Sequence, residues 1–276
     1  MSQLFETAIL IVVVLMIFGV VLSAHEEMAG KITKTTEENS MERTLNELCD
    51  NLINNPGSPE WWKYQSGTVG LAITDSDNNT VPNSVSYEKL MVLLNNYDKL
   101  ITDKYKVKTS LKLEPVDSCV GEISMGHTGT DEVYSVNRMV KCDFFKKYVL
   151  KNFENTGKCN HRHKQSEYSC SYFKIFKGNL KTSDYYLVSD EDDLSYIVDT
   201  TRVVKEREWE SMTTERVYLN PLIDFYEDTS AVVFIHLDKP SAHAFIISVP
   251  KSFNPDYLSY DYFKTNECRL TLTGYV

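Results

Sequence analysis

Residues 8–24 read AILIVVVLMIFGVVLSA, seventeen residues without a charge. A helix over them is roughly 26 Å long, close to the ~30 Å hydrocarbon layer of a bilayer. A run apolar on every face is unlike the one-sided pattern of a helix packed on a core. A secretory signal starts with basic residues, but residues 1–7 carry only Glu6. A retained transmembrane anchor over residues 1–24 is therefore the expectation, with membrane lipid as its partner. Lys31 and Lys34 follow the run and argue for a cytoplasmic head. The cysteines and the glycosylation-type triplet Asn78-Asn79-Thr80 argue for an extracellular one, and the outside orientation is preferred.

Helical character continues past Ala24, with no Pro between His25 and Asn54. Met41, Leu45, Leu48 and Leu52 recur at i, i+4, i+7 and i+11, one stripe of an amphipathic helix. Asn54-Asn55-Pro56-Gly57-Ser58-Pro59 ends it, because Pro cannot continue a helix. The reading is one helix of about 50 residues, or two with a joint at Gly30. Three segments follow: a transmembrane helix (1–24), its amphipathic continuation (25–55) and an extracytoplasmic head (56–276).

Roughly 220 residues of head suffice for a real core. Its expected elements are a strand at 67–73, a polar loop at 75–86 and a helix from Tyr87 to about Lys104 capped by Ser86. Strands follow near 107–113 and 133–142, then a short helix at 144–153. A hairpin is expected around Lys177-Gly178-Asn179, a helix at 214–225, and closing strands at 231–237, 242–249 and 269–275. The fold class is α+β: the long helix packed on an antiparallel sheet with one or two further helices.

Lys and Arg total 29 against 39 Asp and Glu, a formal charge of -10. Phosphate backbones repel such a surface, which excludes nucleic acid as a partner. Six cysteines suit disulfides outside the cytoplasm. Cys159, His161, His163 and Cys170 form a metal-like cluster, since two thiolates and two imidazoles complete a zinc shell. Their spacing matches no standard finger, and a Cys159–Cys170 disulfide is the simpler reading. Asp75, Asp77 and Asn79 have the first spacings of a calcium loop but lack its Gly and its closing Glu, and read as a solvated turn. The run 190–193 reads as an acidic loop. Asp238, Ser241 and His243 lie close in sequence, and His236 sits in an apolar run. Proximity does not make a triad, and no G-x-S-x-G, P-loop or H-E-x-x-H occurs. Trp61, Trp62 and Tyr64 suit a clamp on the long helix. No catalysis and no cofactor is expected.

Four stretches carry a family resemblance. They are SQLFETAILIVVVLMIF (2–18), LCDNLINNPGSPEWW (48–62) with VGLA (69–72), SYEKLMVLL (86–94), and SVNRMV, DYYLV and ERVYLN further on. The chain resembles archaeal class III signal-peptide, or type IV pilin-like, membrane proteins. The resemblance implies a spine helix, a head outside the cell, and partners that are other subunits or surface proteins. It also implies that Glu6, the fifth residue once Met1 is removed, neutralises a neighbouring N-terminus during filament assembly. The alternatives are a monomeric anchored binding module and, more distantly, a membrane-tethered metalloenzyme.

Overall fold

The computed structural model describes residues 2–58, 61–64, 67–129, 132–156, 169–200 and 208–275. Helix α1 runs Ser2–Asn54, about 80 Å of helix. The stripe expected at its far end is its buried face: Leu45, Leu48, Cys49, Leu52 and Ile53 are all at most 3% exposed. Arg43 and Glu47 pair with each other on the opposite, solvent side.

The chain continues through α2 (Trp61–Tyr64), β1 (Ala72–Thr74), β2 (Thr80–Val85), α3 (Tyr87–Leu94), α4 (Asp103–Tyr105), β3 (Lys108–Pro115), β4 (Ile123–Gly126) and β5 (Glu132–Cys142). It then makes a long excursion through β6 (Val149–Asn152), β7 (Ser169–Phe176), β8 (Ser183–Ser189), β9 (Ser195–Asp199), β10 (Glu210–Ser211), β11 (Arg216–Tyr218), β12 (Ser230–Leu237) and β13 (Ala244–Pro250). Helix α5 (Tyr260–Phe263) and β14 (Asn266–Tyr275) end it.

Three sheets result, with orders β1-β2-β5-β14-β3-β4, β10-β9-β12-β7 and β11-β8-β13-β6. Among the described residues the strand pairings are antiparallel except for the short β2–β5 ladder. Strand β14 returns beside β5, with Cys268 opposite Val140, so everything between them is an insertion that leaves and re-enters at neighbouring strands. The six-stranded sheet, α3 and the end of α1 share one core. The inserted strands enclose a second. Strand β13 serves two cores, because alternate residues of a strand face opposite ways: Ala244 and Ile246 join the second, Phe245, Ile247 and Val249 a third at the junction.

The expected fold class needs correction. One antiparallel sheet with one or two further helices does not form; the strands lie in several sheets, and the architecture is mixed α/β. The physical reason is that the strands after residue 148 have apolar faces of their own, which a single sheet facing α1 would leave in water. Local expectations change too. Residues 80–85 form β2 rather than a loop, because Asp75 Oδ1 accepts from the amides of Asp77 and Asn79 and turns the chain back. The helix expected from Tyr87 to about Lys104 is interrupted at Asn95 and Asn96, whose side chains donate back to the Met91 and Val92 carbonyls, and resumes as a wide helical turn at Asp98–Thr102 that runs into α4. Residues 144–153 give a single tight turn and then β6. Around Pro221 there is only one turn, preceded by β11. Strands β7 and β8 do not pair, since the helical turn Lys177–Lys181 carries the chain from one sheet to the other.

Among the described residues no helix is long and apolar enough to cross a membrane. That overturns the expected transmembrane segment, and with it the single-pass location at the cell membrane and the extracellular head. His25, Glu26 and Glu27 close the apolar run with polar and charged side chains. The disulfide expectation is corrected as well: none is formed among the described residues, and Cys49, Cys119, Cys142 and Cys268 are free thiols. Three of these lie in the first core, where a thiol packs as a small hydrophobe. Burial pushes Cys49 up to about 11 and Cys268 up to about 12, so neither forms the thiolate that exchange requires.

The stretch 52–72 fastens α1 to the sheet. Leu71 N donates to Leu52 O at 2.7 Å and Ala72 N to Asn55 O at 3.2 Å. Asn55 Oδ1 accepts from Gly57 N, and Ser58 exchanges hydrogen bonds with Thr68 through both its amide and its hydroxyl. Trp61 is 1% exposed, and its Nε1 donates to Gly70 O at 3.0 Å. Lys89 on α3 closes the arrangement, its ammonium donating to Pro56 O (2.8 Å) and Ala72 O (2.7 Å). Burial pushes the Lys89 pKa down, so these carbonyl partners are what make an ion tolerable there. Replacing Lys89 by Met removes two charge-assisted donors while keeping the stem. The expected loss is about 2–3 kcal/mol, read from the urea midpoint at unchanged slope.

Candidate functional site

Two surfaces stand out: the free part of α1 and an aromatic junction between the lobes. On α1, Leu15, Met16, Phe18, Val20, Val21 and Leu22 are between 54% and 70% exposed. Each residue turns about 100° around the axis, so these six positions lie on all sides of the helix. Exposed apolar area of this kind marks an interaction site on a protein surface.

The junction is built where β5 ends. Asp143 follows it directly, and its Oδ1 accepts from Tyr87 N at 2.7 Å, capping α3. Ser86, the expected cap, makes no side-chain cap bond. Burial pushes the Asp143 carboxyl above the usual carboxylate range, opposed by the Tyr87 amide and by Lys146. Phe145 is the hub of the aromatic cluster, with ring centroids 5.0 Å from Tyr87, 5.0 Å from Phe253, 5.6 Å from Tyr257 and 6.3 Å from Tyr148. These are the separations of favourable edge and tilted contacts.

A cleft of about 350 Å³ opens on one side of the Tyr87–Met91 ridge, lined by Glu88, Asp143, Phe145, Lys147 and Tyr148 among others. A second of about 330 Å³ lies across the ridge, against Val120, Tyr257 and Tyr262. Clefts at a boundary between lobes, apolar with a few polar groups, are the common form of a ligand site.

A separate polar cluster joins the ends of β8 and β13. His243 Nδ1 is 3.6 Å from Asp190 Oδ1, and its ring stacks on Tyr260 at 6.0 Å. Tyr260 donates to Glu154. Burial opposes ionisation of Glu154, but hydrogen bonds from Tyr260 and Asn152 and the His243 charge outweigh it and hold this carboxyl below its usual range. Burial raises Asp190.

The residues singled out in sequence fare differently. Cys159, His161 and His163 lie outside the described residues, as does the side chain of Glu6. Cys170 is half-buried on β7, in register with His236 on β12. Among the described residues no three His, Cys, Asp or Glu side chains are grouped to hold a metal. Asp238, Ser241 and His243 do not converge. Asp238 Oδ1 accepts from Ser195 N, Ser241 N donates to Ser169 Oγ, and His243 faces Asp190. Asp75, Asp77 and Asn79 form the β1–β2 turn. The 190–193 loop is tied down through Glu191 and the Asp192 carbonyl by Lys239. Trp61 packs in the knot, while the side chains of Trp62 and Tyr64 lie outside the described residues.

The aromatic junction escaped sequence reading. Its one sequence signal is aromatic density, FFKKY at 144–148 and YLSYDYF at 257–263. Comparison with family models, curated proteins and solved structures gave no match.

Proposed function

We propose that this chain is a structural, non-catalytic interaction protein that assembles with further copies of itself through the free part of α1. The observation that supports this is the exposed set from Leu15 to Leu22 on all sides of one helix. A groove on a single partner covers one stripe, whereas a bundle of like helices covers every face. Burying such side chains is worth about 1.5–3 kcal/mol each, on the order of 10 kcal/mol for six. That is enough to offset the freedom lost on association. Self-assembly is also the role that the resemblance of residues 48–72 and 86–94 implies.

The test is sedimentation of the full chain in aqueous buffer over a hundredfold range of concentration. The expected result is mass that grows with concentration, and a monomer for the triple variant Leu15→Glu, Phe18→Glu, Leu22→Glu with unchanged circular dichroism. A wild type that stays monomeric overturns the reading, as does a monomer that passes wholly into lipid vesicles or a triple variant that assembles equally.

A further inference from the structure

We infer that the cleft beside α3 is a binding site for a small organic ammonium ion, one with an alkyl or aryl body. Three observations converge there. Its lining includes the aromatic side chains of Tyr87, Phe145 and Tyr148. The lining groups of opposite charge to such a ligand are the half-buried Asp143 and the exposed Glu88. An ammonium of the chain already makes such contacts there: Lys147 Nζ lies 5.4 Å over the Tyr148 ring and 3.7 Å from Glu88 Oε1.

A cation over a ring face with a carboxylate nearby is how proteins hold amines. Lys147 and Glu88 are both more than half exposed, at 55% and 62% of their side chains. An exposed pair of that kind is weak and gives way to a competitor. Behind it, Asp143 is better shielded. Its Oδ1 is engaged by the Tyr87 amide, which fixes the carboxylate against the helix start. Lys147 thus stands in for the ligand beside a cleft of about 350 Å³, at the lower end of small-molecule sites, and swinging its stem into water would enlarge it. An anion is disfavoured by Asp143 and Glu88. A neutral apolar body would fill the same space but forgo the charge. The site owes nothing to α1, so it stands or falls apart from the assembly reading.

The experiment titrates the full-length protein with choline and with its neutral isostere 3,3-dimethylbutan-1-ol, following tyrosine fluorescence and calorimetric heat. Choline is expected to bind at least about tenfold more tightly than the alcohol, as one screened cation–π and carboxylate contact predicts. Asp143→Asn keeps the acceptor for Tyr87 N and removes the charge; it should weaken choline about tenfold and leave the melting temperature within a degree or two. Lys147→Gln removes the internal competitor and should tighten choline about threefold. Tyr148→Leu, at the rim, should weaken choline while sparing the alcohol. Equal affinity for cation and isostere, or an Asp143→Asn protein that binds choline as wild type does, overturns the inference.

Discussion

Gly70→Ala should abolish the attachment of α1 to the head. A β-carbon at Gly70 would sit 2.1 Å from Asn55 O, 2.5 Å from Gly57 N and 2.7 Å from Asn55 C. Each of these is backbone, and each belongs to the turn that ends α1, so no side-chain rotation relieves the clash. Relief needs the strand entering β1 to part from residues 55–57. That costs the Ala72 N to Asn55 O bond and the Trp61 Nε1 to Gly70 O bond together. The expected loss exceeds about 4 kcal/mol, the range of the few substitutions that force a rearrangement. Equilibrium urea unfolding measures it, with Gly121→Ala as the control. Nothing lies within 4 Å of a β-carbon at Gly121, and that variant should stay within about 0.5 kcal/mol of wild type. A Gly70→Ala protein that is equally unaffected would mean the close approach of the two backbones does not hold the lobe together.

Trp61→Ala follows with a loss of about 3–5 kcal/mol. Trp61 heads the largest fully buried side chains, and its indole packs in the core with the end of α1 and the segment 69–71 that leads into β1. Gly57 explains why the indole fits: its φ of +82° is left-handed, and a β-carbon there would meet Trp61 Cδ1 at 2.4 Å. Only a glycine meets both demands. Trp61→Phe separates packing from hydrogen bonding, since it keeps a ring and loses the donor to Gly70 O. It should cost about 1–3 kcal/mol. If alanine and phenylalanine cost the same, the hydrogen bond and not the packed ring carries the effect.

The stretch that carried the family resemblance is thus explained by local backbone demands. Asn55, Pro56, Gly57, Trp61, Gly70 and Lys89 each hold a defined place in one knot. They were legible because most of them fall within twenty residues of one another. Lys89 was legible only as part of a helix; that its ammonium reaches back to Pro56 and Ala72 required the packed lobe. Ser86 was read as the cap of α3 because it stands in the right place, yet the carboxylate that does the work comes from Asp143, 56 residues beyond Tyr87.

The triad-like set misled for the opposite reason. Asp238, Ser241 and His243 lie close in sequence, but they sit in the turn between β12 and β13, where no regular period brings side chains to one side. Each found its partner elsewhere: Ser195 N, Ser169 Oγ and Asp190.

Sequence alone determined the helical stretch with its stripe at Met41, Leu45, Leu48 and Leu52, most strand positions, and a formal charge of -10. All of these depend on a residue and its near neighbours, through turn chemistry, periodicity and charge. Tertiary structure alone decided that residues 143–265 are inserted between β5 and β14, that the strands divide among three sheets, and that Tyr87, Asp143 and Tyr148 line one cleft. A strand's alternation shows that one face must be buried without saying against what. Partners more than a hundred residues away are chosen by the packing of whole faces, which no local pattern records.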